Sequence, residues 1–272
     1  MSLVTTDWLL ENLNDVKIID SSWHLPNQNR DAFLEYSNEH IKNAIFFDID
    51  KFSDQDTELP HMLPKVKIWE NIVSNLGISN QDKIVVYDNS DLISSCRCWY
   101  TFIYFGHDPS LVSVLNGGLK KWKQEAKPVV KSETFISKSI YKAKENKEMV
   151  KSKNEIDKNI SLKNFRVVDA RSLERFEGKA PEPRKNVRGG SIEGSSCLPF
   201  NELINKKDNT FKTVENLDLI FKKILNTDDN DVVFTCGSGI TASVLALAYS
   251  LINTKYMPTI YDGSWSEYGL IK

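Results

Sequence analysis

Asp231-Val232-Val233-Phe234-Thr235-Cys236-Gly237-Ser238-Gly239-Ile240-Thr241 runs directly into Ala242-Ser243-Val244-Leu245-Ala246-Leu247-Ala248-Tyr249-Ser250-Leu251. The first part is a short β-branched and aromatic run, the pattern of a strand buried on both faces. The last part is apolar nearly all round, which predicts a buried helix opening at Thr241 or Ala242. A buried strand, a glycine-bearing turn and a buried helix form one unit of a parallel α/β sheet. In such sheets, sites form just past the carboxyl ends of the strands.

The same strand occurs earlier as Ile84-Val85-Val86-Tyr87-Asp88, with Asp88 standing 148 residues before Cys236. Val16-Lys17-Ile18-Ile19-Asp20 is echoed by Phe165-Arg166-Val167-Val168-Asp169, 149 residues on. Val114-Leu115-Asn116-Gly117-Gly118 is echoed by Ile260-Tyr261-Asp262-Gly263-Ser264, with Asn116 and Asp262 separated by 146. Three landmarks near one offset predict a tandem duplication.

Other elements fill each half. Ala44-Ile45-Phe46-Phe47 and Cys197-Leu198-Pro199-Phe200 read as short strands. Trp69, Ile72, Val73 and Leu76 share one helical face, with Gly77 as its stop, and Leu217, Ile220, Phe221, Ile224 and Leu225 repeat the pattern. The expected fold class is therefore α/β, with two tandem domains, each a mainly parallel sheet flanked by helices. The expected divisions are residues 1–123, a Lys-, Ser-, Asn- and Glu-rich linker over 124–163, and 164–272. Phe135, Ile136 and Ile140 stand out as the linker's apolar residues.

A length of 272 residues suits two domains, and 40% hydrophobic with 26% charged residues is ordinary globular usage. Lys+Arg 35 against Asp+Glu 37 leaves a net charge of -2, too little field to gather nucleic acid. No run of 18 apolar residues predicts a membrane span. The segment 1–13 carries Asp7 and Glu11 and lacks the pattern of a secretory signal. Four cysteines are too few for a disulfide framework, and Cys96-Arg97-Cys98 has poor zinc spacing. The expectation is a protein of the reducing cytoplasm, with no metal, no cofactor, no nucleic acid and no membrane partner.

The connector after Thr235 carries the chemistry. Two glycines permit backbone angles that turn successive N–H groups inward, and the helix N-terminus adds orphan donors and partial positive charge. Such a cradle favours the thiolate of Cys236, the reactive form of a cysteine. The duplicate supplies a control, because its loop Asp88-Asn89-Ser90-Asp91-Leu92 begins with a carboxylate and has no glycine. The second copy has what a nucleophile needs and the first does not.

At these residues the chain resembles the two-domain sulfurtransferases of the rhodanese superfamily, over essentially its whole length. Cys236-Gly237-Ser238-Gly239-Ile240-Thr241 is similar to the loop of the 3-mercaptopyruvate-using branch. Phe46-Phe47-Asp48-Ile49-Asp50, His61-Met62-Leu63-Pro64, Leu115-Asn116-Gly117-Gly118, Pro181-Glu182-Pro183-Arg184 and Tyr261-Asp262-Gly263-Ser264-Trp265 match further segments. Two segments depart from the family's usual Gly-His-Ile-Pro-Gly: Glu39-His40-Ile41-Lys42-Asn43 and Gly190-Ser191-Ile192-Glu193-Gly194.

The resemblance implies attack by Cys236 on the sulfur of 3-mercaptopyruvate, release of pyruvate, and a persulfide passed to a thiol or cyanide, with thioredoxin among the acceptors. It implies that Arg175 and Arg184 hold the substrate, that N–H groups from Gly237, Gly239, Ile240 and Thr241 stabilise charge, and that Ser238, His61 and Asp50 move protons. His61 and Asp50 come from the first half, which implies a site shared by the two domains. His24, His40 and His107 read as structural, Cys96 and Cys98 as packing, and Arg171 and Arg188 as surface or packing residues. Three other readings compete: a thiosulfate:cyanide sulfurtransferase, a cysteine phosphatase and a non-catalytic sulfur-relay or binding module. The phosphatase reading needs an arginine where Ala242 stands.

Overall fold

The computed structural model describes residues 2–225 and 231–271. Met1 and Lys272, the outermost residues of the two expected domains, and positions 226–230 lie outside them. The described residues form two units, each with one five-stranded sheet.

The first sheet contains β1 (Leu3–Val4), β2 (Lys17–Asp20), β3 (Ala44–Phe46), β4 (Ile84–Tyr87) and β5 (Val112–Leu115), in the order β1-β5-β4-β2-β3. The second contains β6 (Val150–Lys151), β7 (Arg166–Asp169), β8 (Ser196–Cys197), β9 (Val232–Thr235) and β10 (Ile260–Tyr261), in the order β6-β10-β9-β7-β8. Every pairing is parallel. The two orders are the same permutation, so the duplication reaches the edge strands β1 and β6.

Burial follows from composition. All four residues of β4 and all four of β9 are buried, as expected of central strands covered on both faces. The helix Ile240–Ile252 is buried from Ile240 to Tyr249, and every residue of Ser95–Tyr104 is buried. Gly77 follows the helix Val66–Asn75 at φ +69, the left-handed stop that a glycine supplies without a Cβ penalty.

The stretch 124–163 is not one free linker. Residues up to Asn146 belong to the first unit and those from Lys147 to the second. Phe135 and Ile140 are exposed, whereas Tyr141, Met149 and Ile156 are buried. Their burial, with β6 and the helix Lys153–Leu162, draws the charged stretch into two packed structures. Ser152 and Glu155 form a capping box at that helix. Two short segments also depart from chain order: residues 206–210 belong to the first unit and residues 56–62 to the second.

Candidate active site

β9 ends at Thr235 and the helix begins at Ile240, so Cys236–Gly239 is a four-residue turn at the carboxyl end of a central strand. Gly239 is the N-cap at φ +82, a conformation that needs glycine here. Gly237 is not in the left-handed region, and its lack of a side chain serves close approach instead. A Cβ there would lie 3.3 Å from Arg175 Nη2 and 3.5 Å from Arg184 Nη1. Two guanidinium groups thus face the backbone beside Cys236. The cysteine itself is buried, 2% exposed.

The turn is held from the next strand end. Trp265 N–H donates to Cys236 C=O and Ser266 N–H to Gly237 C=O, both at 2.9 Å. Ser264 Oγ accepts from the N–H groups of Cys236 at 3.4 Å and Gly239 at 3.1 Å. The Gly239 N–H is therefore directed at Ser264 and not at the sulfur, which corrects the expectation that it joins the cradle. The orphan N–H groups of Ile240 and Thr241 remain at the helix start.

Both expected substrate arginines lie at this turn. Arg175 forks onto Glu182 through Nε at 3.3 Å and Nη2 at 2.5 Å. Arg171, expected as a surface or packing residue, is buried and binds Glu182 Oε1 through Nη1 at 2.7 Å and both oxygens of Asp169. Burial works against its charge, but the Asp169 and Glu182 carboxylates outweigh that and hold its pKa above the ordinary value. Arg171 and Arg188 sit over the Trp265 ring at 4.4 and 4.7 Å from its centroid. Asp169, Arg171, Glu182 and Trp265 thus brace Arg175 and the turn. The spacing of the chain gives no direct signal for this network, although Asp169 ends a strand at the same edge as Cys236.

His61 belongs to the second unit by its packing, although it lies in the first half of the sequence. It is 4% exposed and adopts φ +61. Its Nδ1 stands 2.8 Å from Ser238 Oγ, and Arg184 Nη2 donates to the same oxygen at 3.2 Å. With Arg184 as donor, the serine O–H is free to donate to Nδ1, which favours the tautomer protonated at Nε2. Both members of this pair belong to the second unit. Asp50 lies in the first unit, where its Oδ2 accepts from Trp23 Nε1 at 2.9 Å.

The other cysteines are held as thiols. Burial pushes Cys96 and Cys98 well up, and burial followed by the Asp169 charge pushes Cys197 up to about 12. His107 Nε2 meets the Asp82 carbonyl at 3.0 Å and His40 Nδ1 the Tyr36 carbonyl at 2.7 Å, both structural placements. His24 Nε2 lies 3.3 Å from Glu35 Oε2. Position 242 is a fully buried alanine with no cation to offer a phosphoryl group. Among the described residues, no helix is long and apolar enough to cross a membrane.

A cysteine turn of this kind at the carboxyl edge of a parallel sheet, with a carboxylate in its place in the duplicate, has counterparts among known proteins. The sequence profile of the rhodanese-like domain matches residues 5–125 and 152–270, and the chain belongs to the rhodanese family. It is 36% identical to thiosulfate/3-mercaptopyruvate sulfurtransferase 1, mitochondrial, of Arabidopsis thaliana, over 98% of this chain and 75% of that protein. It is 35% identical to 3-mercaptopyruvate sulfurtransferase of Mus musculus, over 98% of this chain and 91% of that protein. The crystal structure of SseA from Escherichia coli superposes with a TM-score of 0.86 at 32% identity, covering 98% of this chain and all of that one.

Proposed function

We propose that the chain is a 3-mercaptopyruvate sulfurtransferase whose second domain carries the chemistry. The observation that supports this most directly is the Ser238 hydroxyl. It stands two residues after Cys236 and bridges His61 Nδ1 and Arg184 Nη2.

The Cys236 thiolate attacks the sulfur of 3-mercaptopyruvate. The carbon–sulfur bond breaks, and its electron pair leaves as the enolate of pyruvate. The sulfur stays on Cys236 as a persulfide, and in net balance the substrate's thiol proton ends on the methyl carbon of pyruvate. Ser238 and His61 are suited to carry that proton. Arg175 and Arg184 hold the substrate carboxylate and ketone through planar, charge-assisted hydrogen bonds. N–H groups of the turn, including those of Gly237, Ile240 and Thr241, stabilise the persulfide and the departing enolate. An acceptor thiolate, from a small thiol or thioredoxin, or cyanide, then attacks the outer sulfur and frees Cys236. The proposed compartment is the reducing cytoplasm, consistent with the free state of all four cysteines.

Thiosulfate is the second donor reading, favoured by the name of the Arabidopsis relative, which carries both donors. Against it, Gly237-Ser238-Gly239 brings no cationic side chain for a dianion. The test runs 3-mercaptopyruvate and thiosulfate side by side with cyanide as common acceptor. The expected result is a kcat/KM well in favour of 3-mercaptopyruvate, with pyruvate formed. A ratio at or below one would replace the donor assignment, and no turnover with either would leave a relay or binding module.

A further inference from the structure

We infer that Ser264 is a positioning residue for the nucleophile: its hydroxyl fixes the backbone of Cys236 and Gly239, and so sets where the remaining N–H groups of the turn point. The inference rests on the reading of Cys236 as the nucleophile.

Ser264 is fully buried and adopts φ +50, a left-handed conformation that a side chain disfavours. Its Oγ accepts from Cys236 N–H and Gly239 N–H and donates to Tyr261 C=O at 2.8 Å. Both lone pairs and the proton are thereby used. With the bonds from Trp265 and Ser266, three consecutive residues grip Cys236, Gly237 and Gly239.

The first unit offers the comparison. The residue in the place of Ser264 is Gly118, at φ +54, and the next residue, Leu119, donates its N–H to Asp88 C=O at 2.9 Å. The backbone is the same, but the hydroxyl is missing. A Cβ on Gly118 would come within 2.4 Å of Asp88 O, so that turn has no room for a side chain. There the Asp88 carboxylate satisfies its own turn, accepting from Ser90 N–H and Ser95 N–H at 2.9 Å each. A nucleophile turn cannot use that solution. Sulfur must occupy the position, and a carboxylate beside it would repel both the thiolate and an anionic substrate. A hydroxyl reaching in from the next strand end accepts the same kind of N–H group without bringing a negative charge. This accounts for a serine in a conformation where the duplicate uses glycine.

The test uses the full chain carrying Ser264→Gly, which keeps the backbone conformation that Gly118 adopts, and Ser264→Ala as a second variant. The rate of alkylation by iodoacetamide is followed at neutral pH, with the label located by mass spectrometry. Steady-state kinetics with 3-mercaptopyruvate run alongside. In both variants the alkylation rate of Cys236 is expected to fall severalfold, because the donors around the sulfur lose their alignment. kcat is expected to fall about tenfold, the effect of one lost hydrogen bond. KM should stay within about twofold, because the arginines that hold the substrate are braced by Glu182 and not by Ser264. An alkylation rate and kcat equal to wild type in a folded Ser264→Gly protein would overturn the inference alone. Wild-type protein that gains donor sulfur on a cysteine other than Cys236 would overturn the reading on which it rests.

Discussion

Nδ1 of His61 lies 2.8 Å from Oγ of Ser238, although 177 positions separate the two residues. A short segment of the first half, residues 56–62, packs into the second unit and brings the imidazole to the turn that carries Cys236. The proton relay proposed for the reaction begins at this contact.

His61→Ala and Ser238→Ala should each lower kcat with 3-mercaptopyruvate by about a hundredfold, the low end of what a positioned acid–base group contributes. Thiosulfate leaves as sulfite and puts no proton on carbon, so its slower turnover should change much less. Steady-state rates with both donors in each variant check this. Equal losses with the two donors would assign the pair a structural role.

Cys236→Ser should abolish sulfur transfer from either donor. Mass spectrometry of wild type incubated with donor should find one added sulfur, on Cys236. The buried Cys96 and Cys98, and Cys197 with its raised pKa, should stay unmodified.

Arg184→Ala and Arg175→Ala should each raise KM for 3-mercaptopyruvate. Losing one charged hydrogen-bond pair costs about 1.5–3 kcal/mol, or about tenfold to a hundredfold in kcat/KM. Glu182→Gln should give a smaller loss of the same kind, because Glu182 orients Arg175 and does not reach the substrate. Kinetics within about twofold of wild type for both arginine variants would place the substrate carboxylate elsewhere.

Asp20 gives a prediction about pH and stability. Burial pushes its pKa up from 3.8 to about 6, against the hydrogen bonds from Ser22 that favour the carboxylate. A carboxyl with a raised native pKa stabilises the fold below its unfolded pKa and loses that contribution as pH rises through about 6. Asp20→Asn should therefore be more stable than wild type at pH 8, by an amount on the order of 1–3 kcal/mol. The advantage should vanish near pH 4. Urea denaturation at the two pH values reads it, and an advantage that grows toward acid pH would contradict the sign.

The central strands, the buried helices and the turn from Cys236 to Gly239 are legible in the chain because each depends on neighbours a few residues apart. Val232–Thr235 must be covered on both faces whatever surrounds it, and Gly239 announces a turn before a helix. The duplication was readable for the same reason, since it repeats local patterns at one spacing. The two-residue edge strands Leu3–Val4 and Val150–Lys151 escaped, because two residues carry no period. So did the fate of 124–163, where three buried side chains, Tyr141, Met149 and Ile156, outweigh a charged composition.

The chemistry divides along the same line. Cys236, Arg175, Arg184 and Ser238 are proposed from motifs, since each sits in a short recognisable segment. That His61 packs with the second unit, that buried Arg171 and Asp169 hold Glu182, and that Ser264 accepts the Cys236 N–H depend on partners brought together from distant parts of the chain. Composition and spacing record which groups can donate or accept. Which donor meets which acceptor is set when apolar burial brings the strand ends together and the polar groups left there must pair with one another.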